Sequence, residues 1–595
     1  MEPMKYYENN IKDKFSQTVA VFFDKLVEKS QIDIENNRVL VSEYEKILNK
    51  KNRMKNRLKL INIFSKFLTI IGTIIMFCGG MILVEKDIAS DSSGVVCLLA
   101  GFLILLYRWT GLKAKVEDDK KSLSEYDARC EEKLSECYAS MAPLNALMDS
   151  KYTFDLINEN IPFIKMDPYF NMKRFEEMYN RYGMEANEDE NYSALEAVSG
   201  SILGNPFVLL KQLRHEIVNH TYTGTKTISW TEYYTDINGK RQKTTRYEVL
   251  AASVVKPMPV YSDFITLIFA NDVAPDLIFF REPGHVEKLS DWAYKLKLKK
   301  DERKLRRREE RSIRNGGSFI TMSNSEFEAV FNALDRNNET QFRLLFTPLA
   351  QLNIIAELKN KEYGDNFYFF KDRKINRVIA EHTENWDVDC SADKFKSYSY
   401  DRCRDYFIRF NVDYFKNFFF TMLPLISIPL YQQYMAEDYI YETQPENNYN
   451  PYMAETLANA MDESCFVHPH TRTPAILKAV PVRHRGETDI VKIKAHSYDA
   501  VSRVTYVSVY GGDGRFHSVP VYWDKYIPLS KESFIEVKKL GIDDNDFEKI
   551  ADSNRDNKIF KKRGQYVYKN KLFATVGNSG SSELLLNAFL RRLKK

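Results

Sequence analysis

Apolar residues gather near the amino end of the chain in two unbroken blocks, a pattern that neither a half-buried strand nor an amphipathic helix produces. Residues 67–84 run FLTIIGTIIMFCGGMILV, eighteen positions without a charge, which is the length a helix needs to cross the hydrocarbon of a membrane. Twelve of them are Phe, Leu, Ile, Val or Met, together about −5 kcal/mol on insertion scales before the glycines subtract some. A second block, residues 95–107 (VVCLLAGFLILLY), is shorter and is extended by Gly94 and by Trp109. The ten residues from Glu85 to Gly94 hold one Lys and three acids, whereas residues 46–59 hold seven Lys/Arg and no acid. Basic flanks resist translocation, so the pattern predicts a transmembrane helical hairpin, multi-pass in the cell membrane with both termini cytoplasmic. Gly72 and Gly79, and likewise Gly94 and Gly101, are seven apart, which puts each pair on one helix face where backbones approach closely. The alternatives are a buried hairpin in a soluble core and a cleaved signal. Two such runs around a polar decapeptide are unusual in a core, and the charged stretch before Leu60 is too long for a signal's n-region.

Helical periodicity flanks the hairpin on both sides. Phe15, Val19, Phe22 and Leu26, then Val41, Tyr44 and Leu48 after a break near 32–37, recur at three- to four-residue steps. Leu123, Tyr126, Cys130, Leu134, Cys137 and Met141 do the same downstream, and pairing the two stripes into a coiled-coil-like stalk is the cheapest burial available. Cys130 and Cys137, a heptad apart, read as packing residues, and Pro143 ends or kinks the helix.

From residue 151 the pattern changes to short apolar runs with turns. Gly204 to His220 reads as a short capped helix, with Asn205 as N-cap and Pro206 at its first position. Residues 226–255 alternate β-branched and aromatic residues around Asn238-Gly239, a hairpin signal, closed by Pro257 and Pro259. Phe264 to Phe280, interrupted by Asn271, Asp272, Pro275 and Asp276, reads as core pieces. Lys299 to Arg314 holds nine basic and four acidic residues. It is either a solvated helix with Glu302–Arg306 and Glu310–Arg314 pairs or a contact for anionic lipid or nucleic acid. Lys416 to Tyr434 is strongly apolar but carries Pro424 and Pro429, which favours a buried or interfacial element over a span. Asp489 to Val509 and Phe516 to Tyr526 flank a Gly511-Gly512-Asp513-Gly514 turn as a second hairpin, and Ser582 to Leu593 reads as a closing amphipathic helix.

Residues 326–358 (EFEAVFNALDRNNETQFRLLFTPLAQLNIIAEL), followed by a strand at 366–371, carry FE-x-x-F, a spaced acidic turn and R-L-L-F-T-P. This arrangement resembles the bacterial domain of unknown function DUF3137 family. The resemblance implies a membrane-anchored protein with an N-terminal pair of spanning helices and an α+β cytoplasmic domain, and it implies no catalytic residues. The expected class is therefore α+β. Its parts are cytoplasmic helices (1–60), the hairpin (61–110), a stalk helix (111–150), an α+β domain with the DUF3137-like segment (151–400) and a C-terminal α+β domain (401–595).

Composition changes this picture little. With 86 Lys+Arg against 82 Asp+Glu over 595 residues, the net charge of +4 supplies no global field for nucleic acid. Seven cysteines without a C-x-x-C pair read as reduced thiols. No P-loop spacing occurs. His215 and His220 approach the H-E-x-x-H zinc motif with one residue too many, so on a helix they point apart. Cys465, His468 and His470 are a weak metal candidate that lacks a fourth ligand. Asp387, Asp389 and Cys390 beside Trp386, with the tyrosines of 398–406, are pocket candidates outweighed by a solvated loop. Gly577-Asn578-Ser579-Gly580 lacks the spacing of a nucleophile elbow. The sequons at Asn219 and Asn338 carry no meaning in a cytoplasmic domain. The sequence thus predicts no cofactor and a non-enzymatic membrane-anchored interaction or scaffold protein, partnered by the lipid bilayer and an unidentified protein, with nucleic acid disfavoured and homo-oligomers compatible. The rival reading is a membrane-bound hydrolase or transferase with an unrecognised, zinc-dependent site.

Overall fold

The computed structural model describes residues 2–85, 92–185, 189–235, 239–317, 319–333, 335–435, 450–485, 488–540 and 566–576. They fall into two compact units, one comprising Val19–Met148 with Ser391–Phe410 and the other Met1–Thr18, Asp149–Cys390 and Asn411–Lys595. The fold is α+β, with two long apolar helices near the amino end and sheets that are antiparallel throughout. The closing helix expected at 582–593, the glycines at 577–580 and Asn238 lie outside the described residues.

In the helical unit, helix Ile34–Glu85 runs antiparallel to helix Ser92–Tyr107 and to helix Lys113–Asn145. The glycines set the spacing of the apolar pair. A Cβ added at Gly101 would stand 2.6 Å from Met76 Cγ and 2.9 Å from the Gly72 carbonyl oxygen, and one at Gly79 would stand 3.1 Å from the Gly94 oxygen. Many of the other apolar side chains point outward: Phe77 is 70% exposed, Ile74 55% and Leu103 60%. Such surface is foreign to a soluble core, and two helical stretches, Ile34–Met81 and Gly94–Asn145, are long and apolar enough to cross a membrane. Further along the pair, charge takes over from packing, with Arg57–Asp119 at 3.6 Å, Lys51–Asp127 at 2.7 Å and Glu43–Lys133 at 3.2 Å. Cys130 and Cys137 are buried among these contacts.

The upstream stripe divides. Beyond the break, which falls at Gln31 with φ +53°, the chain lies against the downstream helix through the ion pairs just described, while Tyr44 packs on Tyr398. The earlier residues do not lie there: Phe22 and Phe23 pack on Phe407, with ring centroids 6.3 and 5.4 Å apart. Helix Tyr400–Ile426 offers an aromatic face that the charged 113–145 helix lacks, and aromatic burial wins. Buried Asn37 fixes this arrangement, donating to Ser140 and to the Tyr398 carbonyl and accepting from the Tyr400 amide.

The other unit holds two sheets. The first, of seven strands, has the order β1 (Ile164–Met166), β2 (Tyr192–Ile202), β3 (Asn205–Thr235), β4 (Arg241–Ala270), β7 (Ile375–Ala380), β6 (Phe367–Asp372), β5 (Ile278–Arg281). The second, of five, has the order β11 (Tyr566–Lys569), β12 (Leu572–Val576), β10 (Phe516–Lys539), β9 (Thr488–Tyr510), β8 (Ile476–Arg485). Helix Pro451–Asn459 is packed into the apolar core that both sheets share, through Met453, Leu457 and Ala458. Its buried Glu455 accepts from the Ala194 amide of one sheet and the Ala479 amide of the other, and pairs with Lys478 at 2.9 Å. The apolar part of 416–434 is buried, with Phe418, Phe419, Leu423 and Tyr431 at most 1% exposed, while Tyr434 at its end is 76% exposed. Phe15 stacks on Phe415 at 3.9 Å.

Two expectations are corrected here. Residues 204–220 form no capped helix: Gly204 lies in a turn and residues 205–220 belong to strand β3. Leu203 and Gly204, both at positive φ (48° and 87°), form a two-residue turn of the I′ kind, and Asn205 pairs with Ile202 in the ladder. The Asn-Pro pair therefore opens a strand at the position where it would equally open a helix. Pro257 and Pro259 do not end β4, which runs past them opposite Asn219 and Ile217. Two residues apart, both turn their missing N–H to the same, free edge, where nothing is lost. Phe264 to Phe280 supplies core pieces as expected: the end of β4, a turn and β5, with Leu267, Phe269 and Phe279 buried.

Candidate interaction surfaces

Beyond the sheets the two long hairpins continue as ribbons. β3 pairs with β2 only as far as Arg214, and β4 with β7 only from Thr266, so residues 215–235 and 241–265 have no other strand neighbour among the described residues. At ordinary strand rise this is about 70 Å of ribbon. β9 and β10 do likewise past His496 and before Ile535, closing at the Gly511–Gly514 turn with Gly514 at φ +76°. The hairpins belong to different sheets and lie face to face. Ile228, Leu250 and Ala252 of one meet Val519 and Val521 of the other, the Lys256 ammonium stands 4.7 Å over Trp523, and Gly512 donates its amide to Glu248 at 2.6 Å. The alternation that fills this inner face follows from the strand period of two.

The same period makes two outer faces. On the β9–β10 ribbon, Tyr510 lies opposite Phe516, Tyr506 opposite Pro520 and Val504 opposite Tyr522. Tyr506 is 65% exposed, Phe516 72% and Tyr522 69%, and the intervening Ser508 and Ser518 add no charge. On the β3–β4 ribbon the outward row is Thr221, Thr223, Thr225, Thr227, Ser229 and Thr231, all exposed, beside Tyr247 and Val249 across the ladder. One face thus carries an aromatic-rich run that is uncharged from the turn to the Val504–Tyr522 pair and is bounded by the Ser502–Asp524 hydrogen bond, the other a regular line of hydroxyls. Monomeric surfaces rarely display contiguous apolar rows of this kind, and where they do the rows mark sites of association.

The residues singled out from sequence lie elsewhere. His215 and His220 sit on a strand at odd separation and so point to opposite faces. His215 rests between Tyr261 and Tyr498, ring centroids 5.2 and 5.3 Å away, with burial lowering its pKa, and His220 packs edge-on against Tyr222. His468 and His470 lean on each other at 5.4 Å, while the Cys465 carbonyl accepts from Lys531 and Ser533. The loop joins β9 through Thr471–Ser497 and the Arg472 amide on Tyr498. Among the described residues no group of three His, Cys, Asp or Glu is placed to hold a metal ion. Cys390 and Trp386 are buried, Trp386 against Tyr414 at 5.0 Å, and burial pushes the Cys390 thiol up. Asp387 caps its own loop at the Asp389 amide. In the helical unit, Tyr398 packs on Tyr44 and Tyr406 lies beside Phe395. Asn338 caps helix Glu339–Leu345, and Thr347-Pro348 opens helix Pro348–Leu358.

The strongly shifted groups are bound into the core. Glu357 is pushed up to about 8 by burial and accepts from Ser427 at 3.1 Å. Burial lowers Lys371 to about 7, and its ammonium donates to the Val273 and Arg373 carbonyls. His382, lowered to about 4 by burial, stacks on Tyr363 at 4.2 Å. Buried Arg281 donates to the carbonyls of Phe331 and Phe367 and to Asp365. Each shift has a structural cause. No family model matches this sequence, and no curated protein or solved structure does.

Proposed function

We propose that this is a membrane-anchored, non-enzymatic interaction protein that holds a protein partner on its β-ribbon arm. The hairpin of 67–84 and 95–107 spans the cell membrane twice and leaves both termini in the cytoplasm, as the basic 46–59 flank and the acidic link favour. The resemblance of residues 326–371 to the DUF3137 family belongs to the same reading. The observation that carries it is the uncharged aromatic row of Tyr506, Tyr510, Phe516 and Tyr522, exposed on a ribbon whose opposite face is already packed. Aromatic side chains supply large contact area at small conformational cost and recur at the centres of interfaces. The test is affinity capture of the full chain from detergent extracts, beside a Tyr506→Ser/Phe516→Ser variant. A stoichiometric protein should be retained by the native chain and lost by the variant. Absence of any such protein, together with substrate turnover by the purified chain, refutes the proposal. A carboxyl-terminal tag labelled on intact cells refutes the topology.

A further inference from the structure

The sequence leaves helix Asp291–Arg314 balanced between a self-neutralised solvated helix and an anion-binding one, and the fold separates the two by sorting its charges. Leu305 is buried against Phe319 and Ala329, which fixes the rotation of the helix. Glu302 accepts from the Ser325 hydroxyl at 2.7 Å, not from Arg306, and Glu309 accepts from both the amide and the hydroxyl of Thr321. Asp301 pairs with Lys304 at 3.0 Å. Two of its five acids are therefore held by their own domain and Asp301 by Lys304 of the same helix, while nine Lys/Arg, Lys304 among them, are exposed and only Asp291 and Glu310 are exposed among the acids. Trp292 (73% exposed), Leu296 (49%) and Ile313 (66%) share that outward side.

We infer that this helix is a peripheral docking face for an anionic bilayer surface. The inference rests on the membrane-anchored reading and adds to it a second, lipid-selective contact. Cations attract anionic headgroups and release with salt, and exposed Trp and Leu among Lys/Arg suit the headgroup boundary. Nucleic acid offers the same charge, but the stripe carries apolar side chains at its two ends and none among its cations on which bases would stack.

The test reconstitutes the full chain into vesicles of phosphatidylcholine, alone or with phosphatidylglycerol, carrying acyl chains brominated near the headgroup. Quenching is compared with that of a Trp292→Phe variant, so that the other tryptophans subtract. A Trp292-dependent quenching increment is expected with phosphatidylglycerol only. It should vanish at high salt and in a variant with Lys299, Lys300, Arg303, Arg306, Arg307 and Arg311 changed to Gln. No increment with the anionic lipid overturns the inference. So does steeply salt-dependent retention on single-stranded DNA without one, which transfers the helix to nucleic acid. Anchoring is read separately, as carbonate-resistant flotation with phosphatidylcholine alone, so the two readings fail independently.

Discussion

Gly224 tests whether the two ribbons form one arm. It faces inward, and a methyl added there falls on the Pro520 carbonyl, with the Pro520 carbonyl carbon and Val521 Cα each at 3.0 Å. All of these are backbone atoms, so no side chain can swing away. Two outcomes compete for Gly224→Ala. If the ribbons part, the inner cluster opens. Ile228, Leu250, Val519 and Val521 hold about 6 to 12 kcal/mol at 1.5 to 3 kcal/mol for each buried side chain, an upper bound. If they slide instead, the cost is that of overpacking, about 1 to 3 kcal/mol. The smaller cost wins, so the ribbons shift and the arm loosens without unfolding. Amide exchange of the full chain in detergent reads this directly. At 1.4 kcal/mol for each factor of ten, exchange in 222–230 and 507–521 should rise about five- to a hundredfold, with β6 and β7 unchanged. Thr225→Ala, on the exposed outer face, is the control and should alter nothing beyond about 0.5 kcal/mol. Unchanged exchange, or equal acceleration in β6 and β7, refutes the separate arm.

Three further outcomes are expected. His382 has a folded pKa of about 4 against 6.5, so its stability is complete above pH 6.5 and is lost as pH falls to 4, about 3 kcal/mol. Glu357, at about 8 against 4.5, is complete below pH 4.5 and loses about 5 kcal/mol as pH rises through 8. Denaturant unfolding across pH should show His382→Gln removing the acid-side slope and Glu357→Gln the alkaline one, and unaltered slopes reject the assignment. Glu455→Leu takes the acceptor from two buried amides and removes the carboxylate beside Lys478, at about 3 to 5 kcal/mol. Adding Lys478→Met should recover much of that loss in a double-mutant cycle, and strict additivity rejects the pairing. In the apolar helices, a Cβ at Gly79 would lie 3.0 Å from that of Cys97. Gly79→Cys should therefore cross-link to Cys97 under mild oxidation, and Gly101→Leu should suppress the cross-link by forcing the helices apart. An unaffected cross-link contradicts the glycine-set spacing.

How much of this was readable in the sequence depends on which features are local. The apolar helices and their glycine faces were, because unbroken uncharged runs and glycines seven apart are written in the local sequence alone. Both hairpins were, through their turn residues and alternation. Their length was not: prolines at 257 and 259 look like stops until the open edge they face is known. Residues 204–220 fail for a related reason. Asn205-Pro206 and the run FVLL serve a helix start and a buried strand equally, and the decision is made by Ile202, Leu203 and Gly204 closing a turn back onto β2. The aromatic row needed only parity, since Val504, Tyr506 and Tyr510 all fall on even positions of β9, and Phe516 and Tyr522 on even positions of β10. What parity cannot say is which face is covered, because that depends on Val519 and Val521 meeting Ile228 and Leu250 nearly three hundred residues away. The helix at 291–314 shows the same limit in charge. Its composition allows neutralisation along its own surface, and only Ser325 and Thr321, drawing off Glu302 and Glu309, leave the outward side basic.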